Sequence, residues 1–155
     1  YGLRGIHIDE PLAPLPAGYK GKFSRTCTSI EDLKEAKKKS EYVFLKYIYD
    51  SYSEPEKKSG FTLEQLLEAR KQGLIDKHVY ALGGVKIDNL KELKQIGFGG
   101  VVVCGDIWKR FNIHNQQDYK ELLNHFIKIK KIVDDNADII LKRWKEYFDK
   151  ETKED

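Results

Sequence analysis

The chain has 155 residues, 40% apolar and 34% charged, which is enough for one domain with a real core and a Lys/Glu-rich surface. Its 28 basic and 25 acidic residues nearly cancel to a net charge of +3, and no long basic block or aromatic–basic interleaving argues for nucleic-acid binding. No apolar run approaches the roughly 18 residues of a membrane span. Two isolated cysteines, Cys27 and Cys104, with neither CxxC spacing nor a secretory leader, point to a reducing compartment, the cytoplasm.

In chain order, Gly5-Ile6-His7-Ile8 reads as a first strand, with His7 a titratable side chain on it. Residues 9–21 carry Pro11, Pro14 and Pro16 and read as irregular loop. Residues 22–27 read as a second strand. A serine-capped helix follows, with Ser29 ahead of Glu31 and Asp32 and with Ile30, Leu33 and Ala36 on one face. Lys37-Lys38-Lys39 falls at its end, where cations complement the helix dipole, and reads as a solvated terminus. Residues 42–48 form a nearly continuous apolar run, as expected of a strand covered on both faces. Thr62-Leu63-Glu64-Gln65 is a capping box that opens a helix stopped at Gly73.

Two glycine-bearing strand ends come next. Ala81-Leu82-Gly83-Gly84-Val85 closes a strand over 79–82, and Gly100-Val101-Val102-Val103-Cys104-Gly105-Asp106 closes another over 100–103. Between them, residues 88–97 predict a helix with an Asp/Asn start and a glycine stop. This strand–helix–strand unit sets two glycine loops side by side at the carboxyl ends of parallel strands, where backbone N–H groups can meet an anion. The two readings are a phosphate cradle and a pair of tight turns. From Gln116 onward the apolar spacing is helical, with a break at Asp134-Asp135-Asn136. The last helix carries Trp144, Tyr147 and Phe148, a face to be buried in the core or against a second copy in a homo-oligomer.

Alternating strands and capped helices predict a parallel α/β sheet with right-handed crossovers. Either a small open doubly wound sheet or part of a (β/α)₈ barrel accommodates five strands, since a complete barrel needs about 200 residues or more. With no methionine anywhere, Tyr1 included, the chain reads as a segment of a longer open reading frame.

These motifs, in this order, resemble the thiamine phosphate synthase family and its thiazole tautomerase relatives, over roughly residues 2–132. Gly5-Ile6-His7-Ile8 matches the family's Gly-Val-His-Leu strand. Tyr42-Val43-Phe44-Leu45 with Ile48-Tyr49-Asp50-Ser51-Tyr52-Ser53 matches its sixth strand and substrate loop, and the two glycine segments match its seventh and eighth strand ends. The resemblance implies a TIM-type parallel (β/α) barrel, present from the fourth strand to the eighth over residues 1–133, with residues 134–155 as a C-terminal amphipathic helix extension. It implies a transferase of thiamine biosynthesis that joins hydroxymethylpyrimidine diphosphate to thiazole phosphate, with magnesium and release of pyrophosphate. The partners it implies are thus small phosphorylated molecules.

Carried over by position, Gly84, Cys104 and Gly105 would bind the thiazole phosphate through backbone N–H groups, the Cys104 thiol being a small buried filler. Ser51 and Ser53 stand where the family has two threonines near that phosphate, and Thr26 where a serine meets the diphosphate. Several positions depart from the pattern. The lysine after the second threonine is Glu54, with Lys57 and Lys58 nearby, and the magnesium-binding aspartate is Leu12, with Asp9 and Glu10 out of register. The magnesium ligand positions are therefore not retained. The histidine of the tautomerases' Ser-x-His motif is Thr28, and the family's Gly-Pro is Lys46-Tyr47, whose lysine would be a cation if it faced inward. The family's pyrimidine-binding motifs belong to a segment before Tyr1. The resulting expectations are a synthase-like enzyme, a non-catalytic or regulatory paralogue binding a thiazole phosphate-like ligand, and an oligomerising half-barrel.

Overall fold

Five short strands form one parallel sheet in chain order. They are β1 (Gly5–Ile8), β2 (Lys22–Cys27), β3 (Tyr42–Leu45), β4 (Val79–Ala81) and β5 (Gly100–Val101). The structure, a computed structural model, describes residues 5–109 and 118–148, and the side chains of residues 118 and 143–148 lie outside the described set. Helices α1 (Ile30–Lys39), α2 (Leu63–Lys71) and α3 (Leu90–Ile96) connect the strands from β2 onward, and the one-turn α4 (Gly105–Trp108) follows β5.

Local chemistry sets these boundaries. Ser29 Oγ accepts from the Asp32 amide at 3.1 Å and caps α1. Both halves of the Thr62–Gln65 capping box form, at 3.2 and 2.8 Å. Gly97 ends α3 in the left-handed region at φ 101°, with its N–H returned to Leu93 and Lys94. The third, fourth and fifth strands are shorter than the apolar runs suggest. Beyond their ends single bonds continue the ladder: Lys46 N to Cys27 O, Leu82 N to Leu45 O and Val102 N to Ala81 O, at 2.9–3.0 Å.

Side chains alternate across a strand, so the register sorts them into two faces. One face is the core, where Cys27, Val43, Leu45, Val79 and Ala81 are fully buried with Leu33 of α1, Leu66 of α2 and Leu93 of α3. The opposite face corrects the expectation that residues 42–48 are covered on both sides, since Tyr42 and Phe44 are only half-buried. There His7, Ser24 and Tyr42 lie in one row, and Thr26, Phe44, Tyr80 and Gly100 in the next. The rings of His7, Tyr42, Phe44 and Tyr80 meet edge to face at 5.3–5.9 Å. This row requires a glycine at its end, because a Cβ on Gly100 would fall 2.5 Å from the Tyr80 ring.

Lys37 is a second correction. It is not a solvated helix end: its ammonium donates to Gly73 O and Leu74 O at 2.9 Å and to Asp76 at 2.7 Å, fastening the end of α1 to the segment between α2 and β4.

The chain divides into two compact units, Tyr1–Lys109 and Arg110–Asp155. The second contains α5 (Asp118–Asp135) and α6 (Ala137–Phe148), interrupted at Asn136, whose amide NH₂ returns to Ile132 O at 2.8 Å. The Trp144 side chain, and with it the expected packing of the last aromatic face, lies outside the described residues. No helix among the described residues is long and apolar enough to cross a membrane.

Candidate functional site

The loops that follow β3, β4 and β5 border one another at the carboxyl ends of their strands. After β4, Gly83 and Gly84 both take positive φ, 88° and 66°. A Cβ on Gly84 would fall 2.3 Å from Asp50 O and 2.7 Å from the Tyr49 carbonyl carbon, so only glycine permits this approach to the β3 loop. Tyr49 N in turn donates to Gly83 O at 3.1 Å. After β5, a Cβ on Gly105 would stand 2.8 Å from Tyr52 Cβ. Both glycine loops therefore press on one segment, residues 49–52. Ile87 N donates to Asp106 Oδ2 at 3.4 Å and joins the β4 loop to α4.

Within the β3 loop, Ser51 Oγ lies 3.4 Å from Ser53 Oγ and accepts from the Glu54 amide at 3.2 Å. Asp50 accepts from Ser59 N at 2.8 Å and pairs with Lys58 at 3.2 Å. Lys58 is thus engaged inside its own loop. The Tyr47 hydroxyl donates toward Glu54 Oε1 at 3.5 Å. Tyr52 presents its ring to two ammonium groups, Lys86 from the β4 loop at 5.3 Å and Lys109, just after α4, at 4.4 Å.

A second cluster sits at the ends of β1, β2 and β3. His7 bridges two hydroxyls, with Nδ1 2.9 Å from Ser24 Oγ and Nε2 3.0 Å from Thr26 Oγ1. Thr26 is almost fully buried. Beyond it, Asp9 pairs with Lys46 at 3.3 Å and lies 3.9 Å from His7 Nε2. The Thr26 hydroxyl and the Lys46 ammonium outweigh burial and hold the Asp9 carboxyl below its ordinary range. Lys46 also lies 5.5 Å from the Tyr47 ring centre, and the Lys46–Tyr47 peptide is cis.

Gly84, Gly105, Ser51 and Ser53 thus share one loop cluster, with Cys104 immediately before Gly105. Thr26 belongs to the second cluster with His7. Cys104 is exposed, which corrects its reading as a buried filler; the buried cysteine is Cys27, whose thiol burial pushes up to about 12. Sequence reading missed Lys86, Lys109 and Tyr52. Its only available signal was a lysine just beyond each glycine segment, and lysines are too common in this chain to stand out.

A parallel α/β sheet with glycine loops gathered at the strand carboxyl ends defines a class of protein that takes its ligands at that edge. No protein-family model matches the chain, and no curated protein does. Among solved structures, the crystal structure of thiamine phosphate pyrophosphorylase from Bacteroides thetaiotaomicron is 42% identical with a TM-score of 0.65. That match covers 85% of this chain and 62% of the pyrophosphorylase. A structure described as native KDPGal matches with 15% identity and a TM-score of 0.47, covering 79% of this chain and 61% of the other. At 42% identity over 85% of the chain this likeness supports a thiamine phosphate synthase-like family, and the chain spans a little under two thirds of that relative's length.

Proposed function

We propose that this chain supplies the thiazole-phosphate side of a thiamine phosphate synthase-like site, in which hydroxymethylpyrimidine diphosphate is coupled to thiazole phosphate with release of pyrophosphate. In this reading the five strands are the fourth to eighth of a parallel barrel, and the protein is a cytoplasmic transferase of thiamine biosynthesis. The observation that carries it is the 42% identity to a thiamine phosphate pyrophosphorylase, joined to two glycine loops that both press on residues 49–52. Backbone N–H groups at Gly84, Cys104 and Gly105, with the Ser51 and Ser53 hydroxyls, hold the phosphate. Thr26, with His7 beside it, faces the diphosphate. The chain's work is positioning: it fixes one reactant so that the thiazole nitrogen meets the pyrimidine carbon as diphosphate departs.

Among the described residues, those at and near the family's magnesium position do not fit the metal. Leu12 offers no oxygen, and Asp9 is committed to Lys46 and Thr26. No step of the proposal runs through the metal.

Isothermal titration compares thiazole phosphate with the dephosphorylated thiazole alcohol. Binding that depends on the phosphate supports the proposal, and equal binding of the two overturns it. The substitutions at Leu12, Glu54 and Thr28 favour a second reading, a paralogue that binds the ligand without turnover. Pyrophosphate release from the pyrimidine diphosphate, measured with the full-length protein in the presence of thiazole phosphate, decides between the two.

A further inference from the structure

We infer that Lys86 and Lys109, gathered on the ring of Tyr52, are the cations that neutralise the ligand phosphate and make this site select phosphorylated over unphosphorylated ligand. The inference rests on the reading of these loops as a phosphate cradle. The two lysines come from different loops yet meet one ring, at 5.3 and 4.4 Å from its centre. In the chain Tyr52 lies between Ser51 and Ser53, and it packs against Gly105, where a side chain on the glycine would strike Tyr52 Cβ. Lys86 is two residues past Gly84, so both glycine segments deliver a lysine to the same place.

A cation–π contact engages the charge of an ammonium through the ring face and leaves N–H donors for an anion. Both lysines are exposed, and among the described residues no carboxylate lies within ion-pair distance of either. The β3 loop itself cannot provide this charge from Lys58, which Asp50 holds, and it carries Glu54, a carboxylate that repels an anionic ligand. Two cations brought from the neighbouring loops offset that carboxylate.

The test titrates thiazole phosphate and thiazole alcohol against wild type, Lys86→Met, Lys109→Met, the double Met variant and the double Arg variant, at low and high salt. Methionine keeps an apolar stem on the ring and removes the charge. Each single Met variant is expected to bind the phosphate 5- to 20-fold more weakly with alcohol binding unchanged. The double variant is expected to lose the preference for phosphate and most of the salt dependence, and the Arg variant to retain both. A double Met variant that still prefers phosphate as wild type does overturns this inference alone and leaves the glycine cradle standing. A wild type without any phosphate preference overturns the cradle and this inference together.

Discussion

Lys46 reaches back across 37 positions to Asp9, its Nζ 3.3 Å from both carboxylate oxygens, and closes the end of the sheet above Thr26 and His7. The ion pair gives Lys46, which stands where the family pattern has Gly, a partner outside the core. Lys46 faces the same side as Phe44, two residues earlier, so its charge lies over the aromatic face rather than in the core.

The pair carries a pH signature. The folded-state pKa of Asp9 is depressed, so its contribution to stability is complete above the unfolded value near 3.8 and is lost as pH falls through the folded value. Asp9 is two-thirds exposed, which limits the pair to roughly 0.2–1 kcal/mol. Asp9→Asn is expected to melt slightly below wild type at pH 6, with the gap closing as the solution is acidified through the folded value. Parallel melting curves across that range would show that the pair adds nothing.

Lys37 gives a larger effect because it is better buried. Burial pushes the Asp76 carboxyl up, yet Lys37 and the His78 amide prevail, and the group lies below its ordinary range. Replacing Lys37 by Met takes the ammonium from two carbonyls and from that carboxylate, which keeps the His78 amide, at a cost of about 1–3 kcal/mol. Lys38→Met next to it removes only an exposed i,i+3 pair with Glu35 and is expected to be silent. Urea midpoints of the two variants check this, and equal midpoints would mean that Lys37 is a surface lysine after all. As with Asp9, the stabilisation is present above the carboxylate's unfolded pKa and fades as the solution is acidified.

How far the sequence reaches is visible at these positions. Period-two alternation and caps carry local information, so β1, β2, the Thr62 capping box and the Gly97 stop were legible residue by residue. Strand order followed from right-handed crossovers between neighbours. Glycines announced the loop contacts, because a missing side chain marks a close approach. Lysine partners were not legible. A long flexible cation pairs across tens of residues according to tertiary placement, and Lys37, Lys46, Lys86 and Lys109 look like ordinary surface lysines in the sequence. The half-exposed aromatic face was hidden for a similar reason: an apolar run reports that side chains are large and oily, not which layer covers them.

The cysteines offer a test of the loop cluster by chemistry. Cys27 is fully buried with its thiol pushed up to about 12, whereas Cys104 is exposed beside Gly105. A disulfide reagent at pH 8 is expected to titrate one thiol in the native protein and two in denaturant. Thiazole phosphate is expected to slow the native reaction by covering Cys104. Two reactive thiols in the native state would contradict the packing of Cys27, and an unprotected Cys104 would move the ligand elsewhere.

The Glu54 position gives the most direct test of the anion site. The carboxylate is held in the β3 loop, with its own amide on Ser51 Oγ and the Tyr47 hydroxyl reaching its Oε1. At roughly 4–6 Å from a bound phosphate and surface-like dielectric, its repulsion is on the order of 3–4 kcal/mol before salt screening. That is the worth of one or two charge-assisted hydrogen bonds, each about 1.5–3 kcal/mol. Glu54→Lys reverses the sign and is expected to tighten thiazole phosphate at least tenfold at low salt, with the gain shrinking as salt rises. Gly105→Val is expected to abolish binding, because its Cβ would have to share space with Tyr52 Cβ. Gly84→Ala is expected to do the same by another route, setting a side chain at φ 66° and 2.3 Å from Asp50 O. Circular dichroism of both glycine variants separates lost binding from lost folding. Titration of the folded variants then decides: affinities equal to wild type in Glu54→Lys, Gly105→Val and Gly84→Ala would mean that the glycines serve only to pack the loops, and that the phosphate, if bound, sits away from them.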